Sequence, residues 1–307
     1  MDLSKNINSL RADANTPISC DNKEFKKQIA HNLGLKRDNF LIYSCTDQAL
    51  FALLHSLESN HLYIYAPSHL YYEQIATKTK KSIEYINRFV ELESELLPNS
   101  IVIFSNPSFP DGNYYELDEF LEYWKSQNIT VIIDESYLSF TKKQTLKKQI
   151  KNYENLFIIE SLSPFYGIES LHLSLIHSKE DNLTQILNST PSCHISSNEQ
   201  NLLLSAFEDS SFKSVTSSVG LFNKELFINE FQKLPFVKDI YPSLTNYFLF
   251  RVEEKKIDLF KKFLETHKIT ITQCQNLQFL DKSFFALTIP KNKDVKKLLS
   301  LMETIKY

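Results

Sequence analysis

The stretch NLFIIESLSPFYG, residues 155–167, joins an uninterrupted apolar run to a turn crowded with two serines, a proline and a glycine. LFIIE is short and apolar throughout, the pattern of a strand buried on both faces. The turn after it carries hydroxyls that fill no core, and Pro164 there has no backbone N–H to donate. Open α/β sheets receive ligands beyond the carboxyl ends of their strands, so polar residues crowded at such an end mark a candidate site.

Working outward, further runs have the same character. NFLIYS (39–44), LYIYA (62–66), SIVIFS (100–105) and TVIID (130–134) read as buried strands, and HLSLIH (172–177) as another. Between them, TDQALFALLHSL, YYEQIATKTKK and ELDEFLEYWKSQ carry apolar residues at helical spacing. Strands alternating with helices predict an α/β domain with a mainly parallel sheet. Polar residues follow several strand ends: Ser44-Cys45-Thr46, Pro67-Ser68-His69, Asn106-Pro107, Asp134 and Ser161-Leu162-Ser163.

Near residue 215 the rhythm changes. LFNKELFINEFQKL reads as a helix, NYFLFRV as a strand and KKIDLFKKFLETH as a helix. KITITQC and FFALTI read as two more strands, and KDVKKLLSLMETI as a closing helix. The expected division is an N-terminal segment, 1–34, packing with the small domain; a large α/β domain, 35–214; and a small C-terminal α+β domain, 215–307. Five lysines within 142–151 read as a solvated helix face.

Composition narrows the class. The chain has 307 residues, 42% of them hydrophobic and 23% charged, which is ordinary for a globular protein with a sizeable core. A net charge of −3 gives no general attraction to nucleic acid or to an acidic membrane surface. Cys20, Cys45, Cys193 and Cys274 are scattered without metal-ligand spacing, as expected of a reducing compartment. The opening MDLSKNINSL lacks a signal-peptide core and no apolar run is long enough to cross a bilayer, so a cytoplasmic location is expected. With four glycines in all, neither a dinucleotide fingerprint nor a P-loop can be assembled.

The order NPSFPDG, VIIDESYLSF, NLFIIESLSPFYG, LHLSLIHS resembles the fold-type I pyridoxal-phosphate enzymes. The branch is that of histidinol-phosphate aminotransferase and threonine-phosphate decarboxylase. EFKKQIAHNLGLKRDNFLIYSCTDQALFALL is similar to the family's first helix, strand and phosphate loop, and PSCHISSNEQ to a later helix start. MDLSKNINSL and ITQCQNLQFLDKSFFALTI resemble segments of the decarboxylases. The resemblance implies a seven-stranded sheet flanked by helices plus the small domain, a dimer with sites at the subunit interface, and pyridoxal phosphate as cofactor.

It also implies roles. Asp134 matches the acid that pairs with the pyridine nitrogen, and Tyr137 the tyrosine bonded to the ring hydroxyl. Ser44, Cys45 and Thr46 match the phosphate loop, Ser161 and Ser163 the phosphate-side hydroxyls, and His69 the residue stacked on the ring. His172 stands where an arginine grips the phosphate, a weaker grip. Pro164 stands at the position of the Schiff-base lysine and has no amine to offer. Phe109 replaces an asparagine, while Ala286 and Thr272 fall where basic residues would bind a substrate carboxylate.

General acid–base chemistry supplies about 10²–10⁴-fold in rate, and with the lysine both that and covalent capture vanish. The expectation is a catalytically degenerate protein with no catalytic residue of its own, keeping a partial pocket. It would hold pyridoxal phosphate non-covalently at best, or a small phosphorylated ligand, as a homodimer or paired with a related subunit. The alternative is an active aminotransferase or decarboxylase working on a small phosphorylated amino acid or amine without a covalent lysine.

Overall fold

The computed structural model describes residues 22–168, 172–190, 195–209, 211–290 and 292–305. Its large sheet is built from β1 (Phe40–Tyr43), β2 (His61–Ala66), β3 (Ser82–Asn87), β4 (Ile101–Ser105), β5 (Thr130–Asp134), β6 (Leu156–Ser161) and β7 (Ser174–His177). The order is β1-β7-β6-β5-β4-β2-β3. The pairs linking β3, β2, β4, β5 and β6 are parallel, and β7 runs antiparallel to both β6 and β1. The sheet is therefore the mixed, mainly parallel seven-stranded one expected. β3 escapes the sequence reading because SIEYIN is an edge strand with little fully buried surface, so no apolar run announces it.

Among the described residues, seven α-helices belong to this part: α1 (Asn22–Leu33), α2 (Thr46–Ser56), α3 (Leu70–Lys78), α4 (Asp118–Ser126), the single turn α5 (Ser163–Tyr166), α6 (Glu180–Ser189) and α7 (Ser197–Glu208). Strand side chains alternate between two cores, as the period of two requires. Ile101, Ile103 and Ile132 pack with Leu53, Ile75 and Ile186 from α2, α3 and α6. Val102, Phe104, Val131 and Ile133 pack on the other face with Leu121 and Trp124 of α4. Strands buried on both faces read as continuous apolar runs for this reason.

The smaller part comprises α8 (Phe212–Phe231), β8 (Val237–Ile240), β9 (Tyr247–Val252), α9 (Ile257–Thr266), β10 (Thr272–Gln273), β11 (Phe284–Thr288) and α10 (Asn292–Met302). Its antiparallel sheet has the order β10-β11-β9-β8. Phe227, Phe231, Phe236, Phe248, Phe250, Phe260 and Phe285 fill its core. KITITQC contributes only the two residues of β10, because the chain turns at Cys274–Asn276 into a 3-10 helix.

Of the segment 1–34, the first 21 residues lie outside those described. α1 sends Phe25 and Ile29 into a cluster with Phe40, Leu162, Phe165 and Leu203, all of the large domain. The lysine-rich segment forms a 3-10 helix, Leu146–Lys151, and is not wholly solvated. Lys147 Nζ reaches Glu160 Oε2 at 2.5 Å, and His177 Nε2 lies 3.0 Å from the same oxygen. A buried carboxylate needs such neighbours, and the pairing with Lys147 and His177 outweighs burial to pull the Glu160 carboxyl well below its ordinary range.

Candidate functional site

Asp134 ends β5, and its side chain is 2% exposed. Its Oδ2 accepts from the phenols of Tyr71 at 2.8 Å and Tyr72 at 2.6 Å, both on α3. Its Oδ1 accepts from the N–H of Ser136 at 2.9 Å and from the Ser136 hydroxyl at 2.5 Å. A carboxylate offers about four lone-pair positions, and four donors take them. Burial, followed by the Asp134 charge, raises both phenols well above their ordinary range, so they act as donors.

His69 immediately precedes α3. Its ring stacks on Tyr71 at 5.1 Å between centroids and, on Phe109, at 4.0 Å with the planes 12° apart. The Tyr137 ring lies near-parallel to His69 at 6.1 Å and meets Tyr247 edge-on at 4.9 Å. Burial pushes the His69 imidazole down to about 4, against the pull of the Asp134 charge, so the ring is neutral at pH 7.

The NPSFPDG turn is held by a buried ion pair. Arg88 Nη2 lies 2.6 Å from Asp111 Oδ1 and donates also to the carbonyls of Pro67 and Phe109, both at 3.0 Å. One guanidinium thereby ties the loop carrying His69 to the loop carrying Phe109. The fixed fork of donors on arginine suits this multiple grip. Gly112, at φ +74, closes the turn so tightly against the small domain that a Cβ there would meet Ser243 Oγ at 2.2 Å.

The small domain completes the site from above Phe109. Ala286 and Thr272 face each other across β11 and β10. Ala286 is 1% exposed and packs in an apolar cluster with Phe109, Tyr137, Tyr247, Leu249, Cys274 and Leu277. Thus Phe109 and Tyr137 of one domain and Ala286 of the other share one apolar cluster.

At the opposite end sit hydroxyls. Cys45 caps α2, its Sγ accepting from the N–H of Gln48 at 3.4 Å, while Ser44 donates to the Gln48 side chain at 2.6 Å. Thr46 Oγ1 lies 2.7 Å from Ser174 Oγ, and Ser174 stands opposite Ser161 in the β6/β7 ladder. The Ser161 N–H donates to Ser136 Oγ at 3.2 Å, which links this end to Asp134. Ser163 is buried, and its hydroxyl has no hydrogen-bond partner among the described residues. Pro164 occupies the start of α5 and is half-buried, and Gly167 ends that turn at φ +63. His172 is exposed.

The fold thus gathers Asp134, His69, Tyr137 and Phe109 into one constellation, and Thr46 and Ser161 into a neighbouring one. Sequence reading passed over Tyr71, Tyr72, Ser174 and Tyr247. YYEQI has the spacing of a helix, and only the fold brings its two phenols to Asp134. Among the described residues no group of three acids, histidines or cysteines is arranged to hold a metal ion, and no helix is long and apolar enough to cross a membrane.

Comparison with known proteins agrees with this architecture. A histidinol-phosphate aminotransferase of Flavobacterium psychrophilum is 25% identical over 224 residues, covering 69% of this chain and 62% of that protein. The chain thus matches less than two thirds of that relative's length. The crystal structure of the histidinol-phosphate aminotransferase from Clostridium acetobutylicum superimposes with a TM-score of 0.86 at 22% identity, covering 99% of this chain and 98% of that one. That of L-threonine-O-3-phosphate decarboxylase from Porphyromonas gingivalis gives 0.83 at 20% identity, covering 99% and 98%. Residues 5–302 match the family described as aminotransferase class I and II, and the chain belongs to it.

Proposed function

We propose that this chain keeps the aminotransferase fold without aminotransferase turnover, and that what survives of its pocket is a place for a small phosphorylated ligand. The observation that carries this reading is the stack of Phe109 on His69 beside a carboxylate whose acceptor positions are all taken. Pyridoxal phosphate, when bound, supplies an electron sink for the substrate carbanion. Its ring needs an acid oxygen with a lone pair to spare, an open aromatic face and a lysine amine. Here the oxygens of Asp134 are saturated, the His69 face is covered and Pro164 has no amine, so the ring does not fit.

The phosphate end is better kept. Thr46, Ser161 and Ser163 supply hydroxyls, and Ser44 and Cys45 form the entry to α2. Exposed His172 adds at most one hydrogen bond. Any retained cofactor would be held non-covalently and by this end. A homodimer, or a mixed dimer with a related subunit, is part of the same proposal and comes from the family.

The test is to mix the purified protein with pyridoxal phosphate, desalt it, and record the visible spectrum and melting temperature. Parallel thermal shifts use O-phosphothreonine, inorganic phosphate and unphosphorylated threonine. The expected result is no retained chromophore, and a rise in melting temperature with the phosphorylated compounds alone. Retained imine absorbance or turnover of O-phosphothreonine overturns the reading. Either would favour the second one, a working enzyme without a covalent lysine, for which the keeping of Asp134 and Tyr137 speaks. Loss of that turnover in Asp134→Ala would tie it to this site.

A further inference from the structure

A cavity of about 320 Å³, sharing no lining residue with the cleft described above, opens between α4 and the loop that follows β3. Its size is that of a small-molecule site. Aromatic side chains form its inner wall. Tyr65 and Trp124 are all but buried, with ring centroids 5.8 Å apart, and Phe120 lies 5.8 Å from Trp124. Tyr123, 37% exposed, stands toward the mouth.

The rim is acidic. Glu93, Glu95 and Glu119 line the cavity and are exposed. Among the described residues no ion pair includes any of the three. Glu119 lies in the first turn of α4, where an acid also complements the helix dipole; Glu93 and Glu95 have no such duty. Phenols hold the loop carrying them: Tyr65 donates to the Leu92 carbonyl at 3.1 Å, Tyr123 accepts from the Leu96 N–H at 3.2 Å, and Tyr63 from the Leu97 N–H at 3.3 Å. The carboxylates are therefore presented on a fastened segment, which lowers the ordering cost of binding.

The Trp124 indole N–H is buried beside the Tyr65 phenol.

We propose that this cavity binds a small organic cation, an alkylammonium or guanidinium ion. The cationic head sits among the Glu93, Glu95 and Glu119 carboxylates and against the ring faces of Phe120 and Tyr123, since aromatic faces and carboxylates both attract positive charge. Aromatic walls do not ligate a metal ion, which sets an organic cation apart from a divalent one.

Trp124 is the single tryptophan of the chain, so intrinsic fluorescence reports on this cavity directly. The experiment titrates the whole protein at constant ionic strength with Nα-acetyl-L-argininamide, and separately with Nα-acetyl-L-citrullinamide, which has nearly the same length and no charge. The expected result is a saturable fluorescence change with argininamide and none with citrullinamide. In the Glu93→Gln/Glu95→Gln protein the half-saturation point rises about tenfold. Both positions are exposed, and an unchanged melting temperature verifies that the variant is folded. No saturable change with argininamide overturns the proposal, as does an equal response to citrullinamide or in the double variant.

Discussion

The imidazole of His69 and the phenyl ring of Phe109 lie parallel, 4.0 Å apart, so one face of His69 is already occupied by the chain itself. Phe109 does not sit there loosely. Its carbonyl accepts from Arg88 at 3.0 Å, and its ring meets Tyr247 edge-on at 5.7 Å. A flat ligand bound against that face of His69 must displace a residue tied to both domains.

Replacing Phe109 by Ala should therefore cost stability. Phe109 is 7% exposed, and deleting a buried phenylalanine side chain costs about 3–5 kcal/mol. Urea unfolding measures this directly. A loss below about 1 kcal/mol would mean the ring contributes little to joining the domains.

Asp134→Ala removes the acceptor for Tyr71, Tyr72 and Ser136 together. Buried donors left without partners make this a loss of about 3 kcal/mol or more. Tyr71→Phe, which leaves Asp134 with three donors, should cost about 1–2 kcal/mol, and the order of the two variants in urea is the check.

His69 gives stability a pH dependence of known sign. Its folded value of about 4 lies below the ordinary 6.5, so between these limits the unfolded chain binds the extra proton. Stability relative to a His69→Gln variant should thus be level above pH 7 and fall as pH drops from 6.5 toward 4. The slope approaches about 1.4 kcal/mol per pH unit. Parallel unfolding curves of the two proteins across this window would show His69 to be accessible to protons in the folded state.

Arg88→Lys keeps the charge and loses the fork. A single ammonium cannot reach Asp111, Pro67, Phe109 and Tyr115 at once, as Arg88 does. The expected loss is about 1–3 kcal/mol, since buried acceptors at Pro67, Phe109 and Tyr115 lose their donor. The melting temperature should drop, with increased proteolysis at the 106–112 turn.

Pro164→Lys restores an amine to the turn after β6 but leaves Phe109 on His69 and the oxygens of Asp134 saturated. The variant should not acquire imine absorbance with pyridoxal phosphate. Adding Phe109→Asn uncovers His69 but leaves the Asp134 donors in place, so neither the single nor the double variant should show the imine spectrum.

Much of the architecture is readable along the chain. Ile101–Ser105 and Thr130–Asp134 are apolar runs because both faces of β4 and β5 are covered, and periodicity records that locally. Edge elements are not so recorded: β3 and β8 bury little surface, and their residues carry no pattern stronger than a loop's. The change of rhythm near residue 215 falls inside α8, whose first residue, Phe212, packs in the large domain while Phe227 and Phe231 lie in the small-domain core.

Asp134, Ser161 and the residues entering α2 were recognisable from sequence alone, because strand ends and helix starts are local features that place polar groups at one edge of a parallel sheet. What surrounds them was not. Tyr71 and Tyr72 reach Asp134 across more than sixty residues, and Phe109 meets Ala286 from another domain. Whether the space beside a carboxylate is open or filled depends on how distant segments approach each other. Packing settles that in three dimensions, and a pattern with a period of two or 3.6 residues cannot carry it.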